Sequence, residues 1–202
     1  MNPDEARKED LRTSLPFLSV PEWFEKIENR ILVEGGSRIP ARLYWPKDEH
    51  SKGKEGYLGM LIYFHGVGWV VGQLDQFDEV CSKLANCSSA IVISVDYRLA
   101  PENKFPAAID DCYSAIKWAE RNAKSIGGDS SQIIVGGDSA GGTLASDTCL
   151  FAKRNGGPKI LMQIPICPVT DISRGMKKYS NDKYGPSKES MDWFFYLAIH
   201  YE

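Results

Sequence analysis

An α/β architecture, a mostly parallel sheet with flanking helices, is what this sequence predicts, and three observations carry the prediction. Continuously apolar runs of strand length recur at residues 57–64, 90–95, 133–135 and 160–166. Stretches with helical spacing separate them, so strand and helix alternate, the order that builds a parallel sheet covered on both faces. The third run drives straight into Gly137-Asp138-Ser139-Ala140-Gly141, a G-x-S-x-G that must reverse a strand into a helix within a few residues.

Taken in order, residues 4–29 are charged with scattered apolar positions such as Leu11, Leu15, Trp23 and Ile27. They read as one or two short amphipathic helices interrupted at Pro16 and Pro21. Ile31-Leu32-Val33 and the alternating Ile39, Ala41, Leu43 and Trp45, joined at Gly35-Gly36, read as a hairpin of antiparallel edge strands, followed by an exposed loop over 47–56. The buried strand at 57–64 comes next, then a helix over 77–86 and the strand at 90–95. Pro106 suits a first helical position, and Ile109, Cys112, Tyr113, Ile116 and Ala119 keep helical spacing behind it. After Ser139, Leu144, Thr148 and Phe151 share one helical face. A last aromatic-rich helix is expected over 187–201, capped by Ser187.

With 202 residues, 43% of them hydrophobic and 25% charged, the chain is sized for a single domain, residues 1–202, with its own core. A net charge of −3, from 24 basic and 27 acidic residues, gives no electrostatic footprint for nucleic acid. No run has the length of a membrane span, and the charged start lacks the apolar segment of an export signal. Five cysteines, odd in number and without a CxxC, read as mostly buried thiols in a reducing cytoplasm.

The G-x-S-x-G carries the chemistry. Glycines at 137 and 141 let strand and helix approach closely enough that Ser139 stands at the apex of a sharp turn, its hydroxyl at the carboxyl end of the sheet. The peptide N–H groups after it open a helix and can hold a developing oxyanion. A second glycine turn, His65-Gly66-Val67-Gly68-Trp69, leaves the strand at 57–64 and can add further donors beside Ser139; taken alone it also fits a glycine turn with a structural histidine. Asp138 reads as a turn residue, and Asp110 and Asp111 as carboxylates complementing a helix dipole.

Four motifs in this order, HGVGW at 65–69, DYRLAPE at 96–102, FPAAIDD at 105–111 and GDSAGG at 137–142, resemble the hormone-sensitive-lipase-like family of α/β-hydrolases, and the resemblance spans the chain from about Trp45 onward. It implies an α/β-hydrolase fold and a lipolytic carboxylesterase. Ser139 would be the nucleophile, and the N–H groups of Val67, Gly68 and Ala140 the oxyanion hole. His65, Gly66, Gly137, Asp138 and Gly141 would support these two turns. Residues 1–28 and 172–202 would form a helical cap. The implied substrate is a small-molecule ester, with no metal or organic cofactor and with a second copy of the chain as a candidate partner. The family has glycine where this chain has Val67, so a positive φ there would be strained.

A serine needs a base, and in this fold the acid and the histidine follow the nucleophile. The histidines are His50, His65 and His200; the last is downstream of Ser139 but reads as an ordinary residue near a helix end, and Asp171 reads as a turn. The expectation is therefore an α/β-hydrolase truncated at its C-terminus, its later strands and its triad acid and base missing, weakly active or inactive, and poorly stable because a strand edge lies open. A non-catalytic small-molecule-binding homologue is the alternative.

Overall fold

Hydrophobic runs without alternation become the centre of a six-stranded sheet in the computed structural model, which describes residues 2–14, 26–47, 56–171 and 186–199. In chain order the elements are α1 (Pro3–Ser14), β1 (Lys26–Glu34), β2 (Ser37–Trp45), β3 (Leu58–Phe64), α2 (Asp78–Ser88), β4 (Ile91–Val95), α3 (Ala107–Asn122), β5 (Gly128–Asp138), α4 (Ala140–Arg154), β6 (Met162–Ile166) and α5 (Lys188–Ile199). The strand order is β1-β2-β4-β3-β5-β6, with β3 parallel to β4 and β5, and β5 parallel to β6. As the hairpin pattern requires, β1 and β2 pair antiparallel, joined by Gly35 and Gly36 at φ 57° and 90°, the left-handed pair that matches strand twist.

Alternate residues of β3 serve opposite faces. Met60, Ile62 and Phe64 join Ile91, Ile93, Ile133 and Val135 under α3 and α4, whereas Leu61 and Tyr63 join Tyr44 and Val92 under Cys81 and Ala85 of α2. Helices thus cover both faces, which is why these strands are apolar throughout.

Two expectations are corrected. The helical reading of 4–29 fails from Lys26 onward: α1 ends at Ser14 and residues 26–29 are strand, because their pairing with Leu43, Tyr44 and Trp45 overrides the weak helical spacing; residues 15–25 lie outside the described residues. Pro106 is the residue preceding α3, not its first turn. In α5, Ser187 caps as expected, its Oγ accepting the Ser190 N–H at 3.2 Å. The expected loop at 47–56 falls largely outside the described residues, as do His50 and His200.

Along β6 the apolar run is not covered by described residues. Met162, Ile164 and Ile166 are 40–54% exposed on the outer strand of the described sheet. An open apolar edge templates further strand pairing. The 202-residue chain is expected to self-associate in sedimentation velocity, and Ile164→Lys to weaken that association by about tenfold or more. A monomer at all accessible concentrations would refute this.

Candidate active site

Two glycine turns meet at the carboxyl ends of β3 and β5. Ser139 occupies the junction of β5 and α4 with φ 50° and ψ −116°, a conformation that non-glycine residues rarely hold. Its backbone is tied on both sides. The N–H donates to the Ile166 carbonyl at 2.8 Å, and the carbonyl accepts the Thr143 N–H at 3.0 Å. The side chain makes no capping hydrogen bond and remains partly accessible. The sharpness of the turn is set by close packing: a Cβ on Gly141 would lie 1.9 Å from the Phe64 carbonyl oxygen, and one on Gly137 2.3 Å from the same atom.

The turn at 65–69 holds three consecutive left-handed residues, Val67 at φ 71°, Gly68 at 66° and Trp69 at 63°. The position that would strain a β-branched residue does so, and Val67 carries that strain. Glycine lets this turn touch the other: a Cβ on Gly66 would be 2.2 Å from Asp138 Oδ2, and the Gly141 Cβ position lies 2.5 Å from the His65 carbonyl. Ala140 opens α4, so its N–H has no acceptor within the helix. Together these elements bring Ser139, Ala140 and the 65–69 turn to one place. Such an arrangement can aim backbone donors at an anion forming beside a serine hydroxyl.

His65 belongs to the scaffold of the turn. It is fully buried, stacked on Tyr97 at 4.4 Å and on Phe77 at 5.3 Å between ring centroids. Its Nδ1 lies 3.0 Å from the Gly66 carbonyl, which it can approach only as an N–H donor, so the bare lone pair is on Nε2, which has no hydrogen-bond partner among the described residues. Burial depresses its pKa to about 4, against a smaller opposing effect of the Gly66 carbonyl. Asp138 accepts the Tyr63 hydroxyl at 2.7 Å, and burial together with that carboxylate pushes the phenol up. The turn-residue reading of Asp138 fits this contact.

Asp110 and Asp111 separate. Asp110 is exposed in the first turn of α3, as a dipole-complementing carboxylate should be. Asp111 is buried and held by Arg98, whose backbone N–H donates at 3.0 Å and whose guanidinium forks onto both oxygens at 2.8 and 2.9 Å. Arg98→Ala should destabilise the fold by about 2 kcal/mol in urea titration, less than for a fully buried pair because Arg98 itself is half-exposed. Unchanged stability would refute that role.

Several contacts carried no sequence signal. Arg7 of α1 donates to the Val70 and Ala100 carbonyls at 2.9 and 2.8 Å and forks onto Glu102, fastening α1 beside the 65–69 turn. Phe194 of α5 lies against Gly68, and Ala6, Val70, Val71 and Ala198 form a small core between the two helices and the turn. Beside these, a cavity of about 240 Å³ is walled by residues that include Trp69, Phe105, Ile109, Leu144 and Ile199. Among the described residues, no hydrogen bond joins the Ser139 side chain to a histidine or a carboxylate, and Asp171 is exposed. No group of three or more His, Cys, Asp and Glu side chains gathers as a metal site among the described residues, and no helix there is long and apolar enough to cross a membrane.

Comparison with known proteins agrees with this geometry. A family model described as an alpha/beta hydrolase fold matches residues 61–202. The carboxylesterase NlhH of Mycobacterium tuberculosis is 38% identical over 182 residues, covering 90% of this chain and 54% of its own length. Among solved structures, an ester hydrolase from the metagenome of Lake Arreo superposes with a TM-score of 0.90 at 36% identity, covering 100% of this chain and 64% of that one. A hyperthermophilic esterase from the archaeon Pyrobaculum calidifontis does so at 0.88 and 35%, covering 100% and 66%. The chain therefore spans about half the length of the curated relatives it matches. On the family match and the shared strand, elbow and helix arrangement, this chain belongs to the α/β-hydrolase family.

Proposed function

We propose that this chain carries the acylation site of a carboxylic ester hydrolase with Ser139 as its nucleophile. One observation supports it above the others: Ser139 is held at a strained elbow in contact with the 65–69 turn, an arrangement with no evident structural use. In this reading the Ser139 oxygen bonds to the ester carbonyl carbon, and the carbonyl oxygen becomes an oxyanion held by the N–H groups of Val67, Gly68 and Ala140. The bond to the alkoxy oxygen then breaks and the alcohol leaves with a proton. Water adds to the acyl-enzyme, releasing the acid and restoring the hydroxyl. The proton carrier is a base that the described residues do not supply. α1 and α5 serve as parts of the cap, consistent with their packing over the turn. A cytoplasmic setting accords with five free cysteines, and a homodimer with the open β6 edge.

The test is to determine the reading frame beyond Glu202 in the transcript, express it whole, and measure hydrolysis of a short-chain p-nitrophenyl ester. Ser139→Ala should lower kcat by a factor on the order of 10⁴ or more. Equal rates in both proteins would end the proposal. The second reading, a non-catalytic small-molecule binder, draws on Val67 in the strained turn; it gains if the natural protein ends at Glu202, hydrolyses nothing and binds a small ligand tightly.

A further inference from the structure

Thr143 and Asp147 stand four residues apart along α4 and so share one face of the helix, and Ser139 immediately precedes its first residue. Thr143 is bonded directly to the Ser139 carbonyl, and both Thr143 and Asp147 line the 240 Å³ cavity whose remaining wall is largely apolar. The charges on that wall are unequal in their pairing. Arg98 is committed to Asp111 by its forked contact. Asp147 forms no hydrogen bond or ion pair with a described residue, and partial burial alone raises its pKa. Among the described residues, the Asp147 carboxylate is therefore uncompensated in this cavity.

We propose that Asp147 is a specificity-determining residue of this cavity, selecting ligands whose apolar chain ends in a cationic or hydrogen-bond-donating group. The proposal rests on the reading of Ser139 as the acylated residue: the chain is then the acyl group of the ester. Asp147 lies eight positions after Ser139, most of them helical, a span of about 12 Å. An extended chain advances roughly 1.2 Å per bond, and side chains lean toward the helix N-terminus, so an acyl chain of roughly six to nine bonds brings its end to the carboxylate. A plain alkanoyl ester of that length would leave the carboxylate partly desolvated with nothing to bond, and an ω-carboxylate would be repelled.

The test uses three ester-free probes of equal chain length, hexylammonium, 1-hexanol and hexanoate, titrated into the ¹⁵N-labelled chain and followed by the amide shifts of α4. Hexylammonium should bind about fivefold more tightly than hexanol, as expected for a partly exposed charge pair, and hexanoate more weakly than either. Asp147→Asn should bring the three within about twofold, and Asp147→Lys should invert the order. Both substitutions are at an exposed position, so the folded amide spectrum should be retained. The same ranking in Asp147→Asn, no preference in the parent chain, or no shift of α4 amides with any probe would each overturn the assignment. Because the probes hold no ester, a Ser139→Ala chain must give the parent ranking. Ester hydrolysis undiminished by Ser139→Ala sinks the catalytic reading alone, and absence of the ammonium preference in the parent chain sinks the Asp147 assignment alone.

Discussion

Gly141→Ala is expected to destabilise the chain by about 3 kcal/mol or more, seen as a collapse of the urea midpoint or as failure to fold. Helix propensity argues the other way, since alanine in place of glycine inside a helix ordinarily gains about 1 kcal/mol. Contact decides the sign. The added methyl would lie 1.9 Å from the Phe64 carbonyl oxygen and 2.5 Å from that of His65, both backbone atoms at the end of β3. A flexible side chain could step aside; Phe64 belongs to a strand paired on both sides, to β4 and β5, and the His65 carbonyl that follows accepts the Tyr97 hydroxyl at 2.8 Å. Relief would require α4 to withdraw from the 65–69 turn, and Ser139 would leave with it. Gly59→Ala is the control: its new methyl would meet nothing nearer than 3.8 Å, so stability there should hold or rise slightly. A Gly141→Ala chain as stable as the Gly59→Ala chain would overturn the account of the elbow.

Acid should destabilise the fold through His65 by roughly 3 kcal/mol in total. The imidazole is neutral in the folded chain, its pKa depressed to about 4 because burial between Tyr97 and Phe77 disfavours the cation. In the unfolded chain it titrates near 6.5. Between those values the unfolded state binds the extra proton, so stability falls as pH falls. The contribution is whole above about 6.5, declines through the window, and is gone below about 4. His65→Phe keeps a ring in the stack but removes the proton site. Urea midpoints from pH 7.5 to 4.5 should fall more steeply for the parent chain than for this variant. Parallel curves would mean that His65 is not the titrating group.

The sequence by itself determined the α/β class, the β1–β2 hairpin, the four parallel strands and the place of Ser139. Each rests on information local to a few residues: unbroken apolar runs for strands buried on both faces, glycines where two backbones must touch, and a strand passing directly into a helix. The β6 run was legible as a strand, but its exposure was not, because apolarity marks what a segment can bury and not whether a neighbour is present to bury it. Residues 26–29 were misread for a related reason: four residues carry too little periodicity to outweigh a partner strand thirteen or more positions away.

Only the tertiary structure decided what the polar residues do. Asp110 and Asp111 are adjacent and chemically identical, yet one faces water and the other is gripped by Arg98, because successive helical residues point about 100° apart and only one of them meets the strand-end loop. Arg7 finds Glu102 across 95 positions, and His65 is silenced as a base by two aromatic rings supplied from separate segments. Asp147 lines a cavity that exists only where α3, α4, α5 and the 65–69 turn converge. Charge, burial and reach at such positions are set by contacts between distant segments, and a linear pattern holds no record of those distances.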